Sequence, residues 1–312
     1  MRYWGLIIDD LGDQSKNRRS DVTSTSGVQD NEILRYLSSG QAYIQSQILR
    51  QVGATNFFNS TQDVSIVNGT KEYTLSGNVY FNQKIKRVRY SSTGLARDYR
   101  DLKYLVSERW TEDADISSPT GYTVGNNTII LDGVPSSSAG SLRVVYVASL
   151  DRPEIRRGKI QSVANDGTNY TSITLEDDSD LDGTTIARYL GDYLCVNSVL
   201  GVVNYYNAQI SAYDAGTRTI TLTNSLMSAG TIAVGGYITL GRYSTTHCKL
   251  PSECEHYLME FADWKLKKGD SSSDSVEANS EMVMLMDDII AQFANATDMQ
   301  TVMIYDPDAD FA

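Results

Sequence analysis

The sequence predicts an α+β protein: a helical bundle from N- and C-terminal helices packed with a β-rich middle, plus an inserted small β-sandwich or β-barrel module. Three observations carry this expectation. Apolar residues recur at spacings of three and four between Asp30 and Leu49, and again from Tyr257 to Phe293. From Val64 to Leu240 the pattern changes to short apolar–polar alternations broken by Gly, Asn, Asp and Ser turns. A charged, Pro-bearing stretch, Asp151 to Lys159 (DRPEIRRGK), divides this middle in two.

The start holds a short apolar patch (Trp4, Leu6, Ile7, Ile8) and then a polar run, Gly12 to Gln29, which reads as a loop. The patch soon meets Asp9 and Asp10 and lacks a signal peptide's long apolar core. From Asp30 the spacing of Ile33, Leu34, Leu37, Ile44, Ile48 and Leu49 predicts helix, with Asp30 or Asn31 as N-cap. Gly40 weakens its middle, so one helix or two remains open.

Val64 to Val67, Asn68-Gly69 and Thr70 to Leu75 read as a hairpin with a two-residue turn, because Asn-Gly tolerates positive φ. Ile85 to Tyr90 (IKRVRY) alternates as a half-buried strand. Tyr104 to Trp110 is a strand or a short helix. Gly121–Val124, Thr128–Leu131 and Leu142–Val147 follow as strands. The second β module supplies Ser172–Leu175, Tyr193–Val196, Ala208–Tyr213, Thr219–Thr223 and Tyr237–Leu240.

Helix returns at Pro251, where Ser252 and Glu255 fit a capping box. Lys265, Lys267 and Lys268 suit the negative end of the dipole, and Gly269 suits the stop. Val276 to Phe293 predicts a second helix with Met282, Leu285, Met286, Ile289 and Phe293 in one stripe. The tail from Met299 mixes Val302, Ile304, Tyr305 and Phe311 with Asp306, Asp308 and Asp310; it reads as an arm for a neighbour or a disordered end. The domain organisation expected is therefore 1–55 helical, 56–157 β-rich, 158–245 inserted module, 246–298 helical hairpin and 299–312 extended arm.

Composition narrows the function classes. The 312 residues carry a net charge of −12, which opposes a grip on DNA because phosphates demand Lys and Arg. Such a surface either lets DNA slide past or only keeps the protein soluble. The 20 Tyr suit strands and wet interfaces alike. Three irregularly spaced cysteines, Cys195, Cys248 and Cys254, form no disulfide framework and point to reduced thiols and synthesis in a cytosol. No stretch approaches the ~18 apolar residues of a membrane span.

No catalytic constellation stands out, so the chain reads as no enzyme, with no cofactor and no metal. His247-Cys248 and Cys254-Glu-His256 lack zinc spacing, since positions i and i+2 of a helix face apart. Asp178, Asp180 and Asp182 open like a calcium loop, but Tyr189 stands where a bidentate Glu belongs. The adjacent carboxylates Asp9-Asp10, Asp177-Asp178 and Asp287-Asp288 diverge along the backbone. The basic residues Lys84, Lys86, Arg87, Arg89, Arg97 and Arg100 either meet an acidic partner or form a solvated face.

Several of these segments together resemble the head-to-tail adaptor (head completion) proteins of tailed bacteriophages. The resemblance starts with the helix at Asp30–Leu49, Phe57-Phe58, and Gly69-Thr-Lys-Glu-Tyr-Thr-Leu75, which is like that family's G-x-x-x-Y-x-L hairpin. It continues through Ile85–Tyr90, Arg109, Pro119 to Tyr122, Thr128–Leu131, Pro135, and Gly140-Ser-Leu-Arg-Val-Val-Tyr146, and closes on Pro251-Ser-Glu-Cys-Glu255 and the helices beyond. The signal is their order, over about two thirds of the chain. The module at 160–243 departs from simpler members.

The resemblance implies a structural virion protein, made in the host cytoplasm and placed in the neck. It implies a homo-oligomeric ring, commonly of twelve copies, under the portal protein ring. Such a ring extends the channel for double-stranded DNA, meets tail nozzle or tube proteins and tail fibres, and touches no membrane. The portal or neighbour interface expected on this reading comprises Met282, Leu285, Met286, Ile289, Phe293, Val302, Ile304, Tyr305 and Phe311. The alternative is another tail component, a tail-tube or baseplate/fibre-attachment subunit.

Overall fold

The computed structural model describes residues 3–14, 30–53, 56–82, 84–106, 118–136, 138–167, 169–177, 179–198, 203–223, 232–267 and 274–302. The chain divides into two compact units, residues 48–149 and the remainder. The fold is α+β, and the expected inserted module is a closed barrel.

One unit, residues 48–149, holds two four-stranded sheets. One contains β1 (Asn59–Ser65), β3 (Ile85–Ser91), β4 (Arg100–Asp101) and β8 (Ser141–Val147), in the order β1-β8-β3-β4. The other contains β2 (Glu72–Thr74), β5 (Lys103–Tyr104), β6 (Gly121–Val124) and β7 (Thr128–Leu131), in the order β2-β7-β6-β5. Their apolar faces share one core, which includes Val88, Tyr90, Ile129, Leu131, Leu142 and Val144.

The Asn68-Gly69 segment does turn, with Gly69 at φ +80, but it makes no hairpin. β1 pairs with β8 over seven residues and β2 pairs with β7, so the turn carries the chain between sheets. Tyr73 braces the crossing by donating its hydroxyl to the carbonyl oxygens of Val67 and Thr70. The hairpin at Gly125-Asn126-Asn127 is present, with Asn127 in the left-handed region and its side-chain amide donating to the Leu75 carbonyl. Lys103–Tyr104 is strand, while residues 107–117, including Arg109, lie outside the described residues.

In the other unit, α1 (Trp4–Gln14) replaces the expected N-terminal patch and part of the expected loop. Trp4, Ile7, Ile8 and Leu11 occupy i, i+3, i+4 and i+7 and are all buried, which is the pattern of a core-facing helix. The second helix, α2 (Asp30–Gln51), runs unbroken through Gly40. The absent side chain is what lets it approach its neighbour. A Cβ there would stand 3.0 Å from Leu258 and 3.1 Å from Phe261.

The barrel begins with β10 (Gly158–Asn165) and β11 (Tyr170–Leu175). A short helix, α3 (Gly183–Ala187), precedes β12 (Tyr193–Asn197) and the long β13 (Val203–Asp214). β14 (Thr219–Leu222) and β15 (Tyr237–Leu240) complete it, and β15 returns to β10. The strand order is β10-β11-β14-β13-β12-β15. Full closure leaves no exposed edge. Ile160, Ile173, Leu194, Ile210, Ile220 and Ile238 fill the interior, and Leu181 and Ile186, flanking and within α3, join the same core.

The root of the barrel is tied at four levels. β9 (Arg152–Pro153) and β16 (Ser244–Thr245) pair in parallel where the chain leaves and returns. Trp4 donates its amide to Thr246, and Tyr3 bridges His247. The Arg157 guanidinium lies 4.2 Å from the ring centres of both Tyr3 and Tyr237. Finally, Lys249 pairs with the carboxylate of Asp151, whose side chain is 1% exposed. The stretch 150–157, expected at the end of the β-rich part, thus belongs with the barrel and helices.

Beyond the root come α4 (Glu253–Lys267) and α5 (Asp274–Val302), the latter longer than its apolar stripe predicts. The capping box differs from expectation. Ser252 donates its hydroxyl to the Glu253 carboxylate, and the amides of Cys254 and Glu255 donate to the carbonyl oxygens of Pro251 and Ser252. Gly269 lies outside the described residues.

Two substitutions test this packing. Lys249→Met strands a buried carboxylate and should cost roughly 3–5 kcal/mol in urea unfolding, with Asp151→Asn in the same chain recovering part of it. Gly40→Leu should lower stability by roughly 1–3 kcal/mol through overpacking against Leu258 and Phe261.

Candidate functional site

Two surfaces are candidate sites, one in each unit. The first is the solvent face of the sheet β1-β8-β3-β4. Strand register places Asp63, Arg143, Arg89 and Asp101 in one cross-strand row, since Asp63 faces Arg143, Arg143 faces Arg89, and Arg89 faces Asp101. Arg143 grips Asp63 with two bonds of 2.8 Å. Arg87, two residues along β3, grips Asp101 with bonds of 2.6 and 2.5 Å, and Arg89 lies 3.5 Å from the same carboxylate. Tyr99 receives both central arginines on its ring, Arg143 at 4.6 Å and Arg89 at 5.8 Å.

Bidentate arginine–carboxylate pairs on adjacent strands fix side-chain direction as well as charge. The Arg143 hydrogen bond holds the Asp63 carboxyl below the usual carboxylate range, against a smaller opposing push from burial. The Arg87 hydrogen bond does the same to Asp101. The basic strand therefore has acidic partners within its own chain for Arg87, Arg89 and the neighbouring Arg143. Arg100 turns to Ser118 and to the carbonyl of Pro119, while Lys84, Lys86 and Arg97 are exposed. Sequence reasoning missed Asp63, Tyr99, Asp101 and Arg143, because only strand register brings them together.

The second surface is the helical hairpin. Met282, Met286 and Ile289 are buried within the chain, and α5 packs on α4. Leu285 and Phe293 are half-buried. Among the described side chains, the large apolar ones that α5 offers outward are instead Val283 and Met284, at 55% and 67% exposure, beside exposed Glu281, Asp287 and Asp288. Val302 ends the helix. Ile304, Tyr305 and Phe311 lie outside the described residues.

Cys195, Cys248 and Cys254 are free thiols and buried; burial pushes Cys248 and Cys254 up to about 12, so neither is a ready thiolate. Asp182 caps α3 by accepting the Thr185 amide at 2.6 Å, Asp177 pairs with Arg218, and Asp178 lies outside the described residues. Among the described residues no three His, Cys, Asp or Glu side chains converge to hold a metal ion. No helix among them is long and apolar enough to cross a membrane.

No known family model matches the sequence, and no curated protein is significantly similar to it.

His247, at the barrel root, gives this unit a pH dependence. Burial lowers its pKa from 6.5, and the nearby Arg157 cation lowers it further. A histidine with a depressed folded pKa takes up a proton more readily when unfolded, so its environment costs stability once pH falls below about 6.5. The melting temperature should therefore decline between pH 6.5 and 5, and His247→Gln should flatten that decline. Asp63 and Asp101 act at lower pH: their stabilisation is present above about 3.9 and is lost as pH falls through their depressed values.

Proposed function

We propose that this chain is a structural subunit of a tailed-bacteriophage neck, forming a ring below the portal that joins head to tail and continues the DNA channel. One observation carries the reading: helices drawn from both ends of the chain pack together, with the barrel rooted beside them. Gly40 and Tyr43 of α2 meet Leu258, Tyr257 and Phe261 of α4, α1 also packs on α4, and the chain enters and leaves the barrel through the Asp151–Lys249 root. Helices contributed by both ends of the chain support the adaptor reading, from whose simpler members the barrel departs. The net charge of −12 per copy suits a passage through which DNA slides without adhering.

Within this reading the exposed Val283, Met284 and acidic neighbours of α5, rather than Met282, Met286 and Ile289, are the helical surface left for the portal ring. The partners are the portal, further copies of the chain and the tail proteins below. The barrel projects toward tail or capsid parts.

The test is to mix the purified chain with the portal ring encoded beside it and measure native mass, imaging the same sample by negative stain. The expected result is a discrete complex with one added chain per portal subunit, seen as a second ring at one end. A chain that stays unbound, or builds tubes or discs by itself, overturns the neck reading in favour of a tail-tube or baseplate subunit. Val283→Asp with Met284→Asp should weaken portal capture at least tenfold without lowering the melting temperature, because both side chains are already exposed.

A further inference from the structure

The sheet β1-β8-β3-β4 ends on one side in β1, a seven-residue edge. Its hydrogen-bonding phase is fixed by its neighbours: Ala148 donates to Phe58, and Ile66 donates to Gly140. In an antiparallel pair, alternate residues turn both backbone groups toward the partner. Ser60, Gln62 and Val64 therefore face β8, and Asn59, Thr61, Asp63 and Ser65 direct their N–H and C=O groups away from the sheet. Among the described residues nothing accepts from or donates to those outward groups.

Edge strands are normally guarded by Pro, by an outward Lys or by a bulge. β1 (NSTQDVS) has none of these. Its one charge, Asp63, is turned across the sheet face onto Arg143 and so does not guard the edge.

We infer that β1 is a docking edge for β1 of a second copy, paired antiparallel about a two-fold axis through Gln62. The strand's own sequence selects this occupant and this register. Centred on Gln62, Thr61 meets Asp63 of the other copy and Asn59 meets Ser65, so each outward residue faces an outward residue. Every backbone donor on the edge then finds an acceptor. The Thr61 hydroxyl lies opposite the Asp63 carboxylate, and no like charges meet. Sliding each strand so that the axis passes through Asp63 sets two carboxylates against each other, which is unfavourable. On the opposite face Ser60 meets Val64, and Gln62 meets its own copy.

The pairing joins two four-stranded sheets into one of eight strands and extends the charged row across the axis. It is an isologous contact. It neither requires the neck-ring reading nor follows from it, and its test uses the chain alone.

Gln62→Cys supplies that test. Directly opposed residues in a non-hydrogen-bonded antiparallel pair have Cα atoms about 4.5 Å apart, which suits a disulfide. Mild oxidation should convert Gln62→Cys to a covalent dimer. Thr61→Cys should stay monomeric on a denaturing gel, because diagonal neighbours stand about 7–8 Å apart, beyond disulfide reach. The buried native cysteines leave a low background. Gln62 also accepts the amides of Ser76 and Gly77, so a second pair guards against a folding defect. Ser60→Cys mixed with Val64→Cys should crosslink, and neither should do so alone.

Thr61→Pro removes one outward N–H and no bond to β8. It should shift the wild-type sedimentation from twice the chain mass to the chain mass with the circular dichroism unchanged. A monomeric wild-type chain, equal crosslinking at positions 61 and 62, or a dimer indifferent to Thr61→Pro would each overturn the inference.

Discussion

The ion pair between Asp151 and Lys249 is the constraint on which the larger unit depends. The two residues stand ninety-eight positions apart, one where the chain enters the barrel and the other where it leaves it for the C-terminal helices. Everything between them is a barrel that closes on itself and needs no edge contact to be stable. A self-sufficient module on two strands of chain would swing unless its base were fixed. The buried carboxylate supplies the fixing term, because burying it without its cation is costly and the cost is recovered in one geometry only. Around it, Gln41 donates to the Asp151 carbonyl and Gln45 accepts from the Leu150 amide, so α2 reads the departing strand through polar bonds. These buried polar side chains on an otherwise apolar helix face orient the module, while Ile33, Leu37, Ile44 and Ile48 supply the apolar burial.

Charge is distributed unevenly in a way the net value hides. Residues 48–149 contain eleven Lys and Arg against nine Asp and Glu, whereas the rest of the chain contains sixteen against thirty. The whole excess of negative charge therefore belongs to the helix–barrel unit, and the last forty-four residues hold ten acids and no Lys or Arg. In the sheet unit Arg87, Arg89 and Arg143 are engaged by carboxylates and by the Tyr99 ring. Exposed pairs of this kind add little stability. Their effect is geometric, since two bidentate grips and a shared aromatic ring hold three guanidinium groups in fixed positions on the β1-β8-β3-β4 face.

The elements legible in the sequence are those whose signal is local. Every barrel strand named from alternation is present, and the hairpin at Asn126-Asn127 and both C-terminal helices follow from turn chemistry and periodicity. What was not legible is non-local. Asn68-Gly69 has the composition of a hairpin turn, yet β1 finds its partner about eighty residues away in β8, and no local pattern records that choice. The α1 helix escaped notice because Gly5, Asp9, Asp10 and Gly12 interrupt what is otherwise a regular set at Trp4, Ile7, Ile8 and Leu11. Gly40 posed the same difficulty with the opposite outcome. A residue that weakens a helix in isolation is there because the backbone of α2 must come within a side chain's thickness of Phe261.

The apolar stripe of α5 shows why a sequence pattern cannot by itself distinguish a core from an interface. Met282, Met286 and Ile289 satisfy both descriptions, and burial inside the chain assigns them to the first. Among the described side chains, the large apolar residues that α5 leaves exposed are then off the stripe, where Val283 and Met284 stand between Glu281 and Asp287-Asp288. Two exposed apolar side chains among carboxylates bind weakly on their own, because the flanking charges resist desolvation. A surface of this kind gains strength by repetition: one weak contact per copy, multiplied around a ring, sums to a stable joint while each copy alone stays soluble.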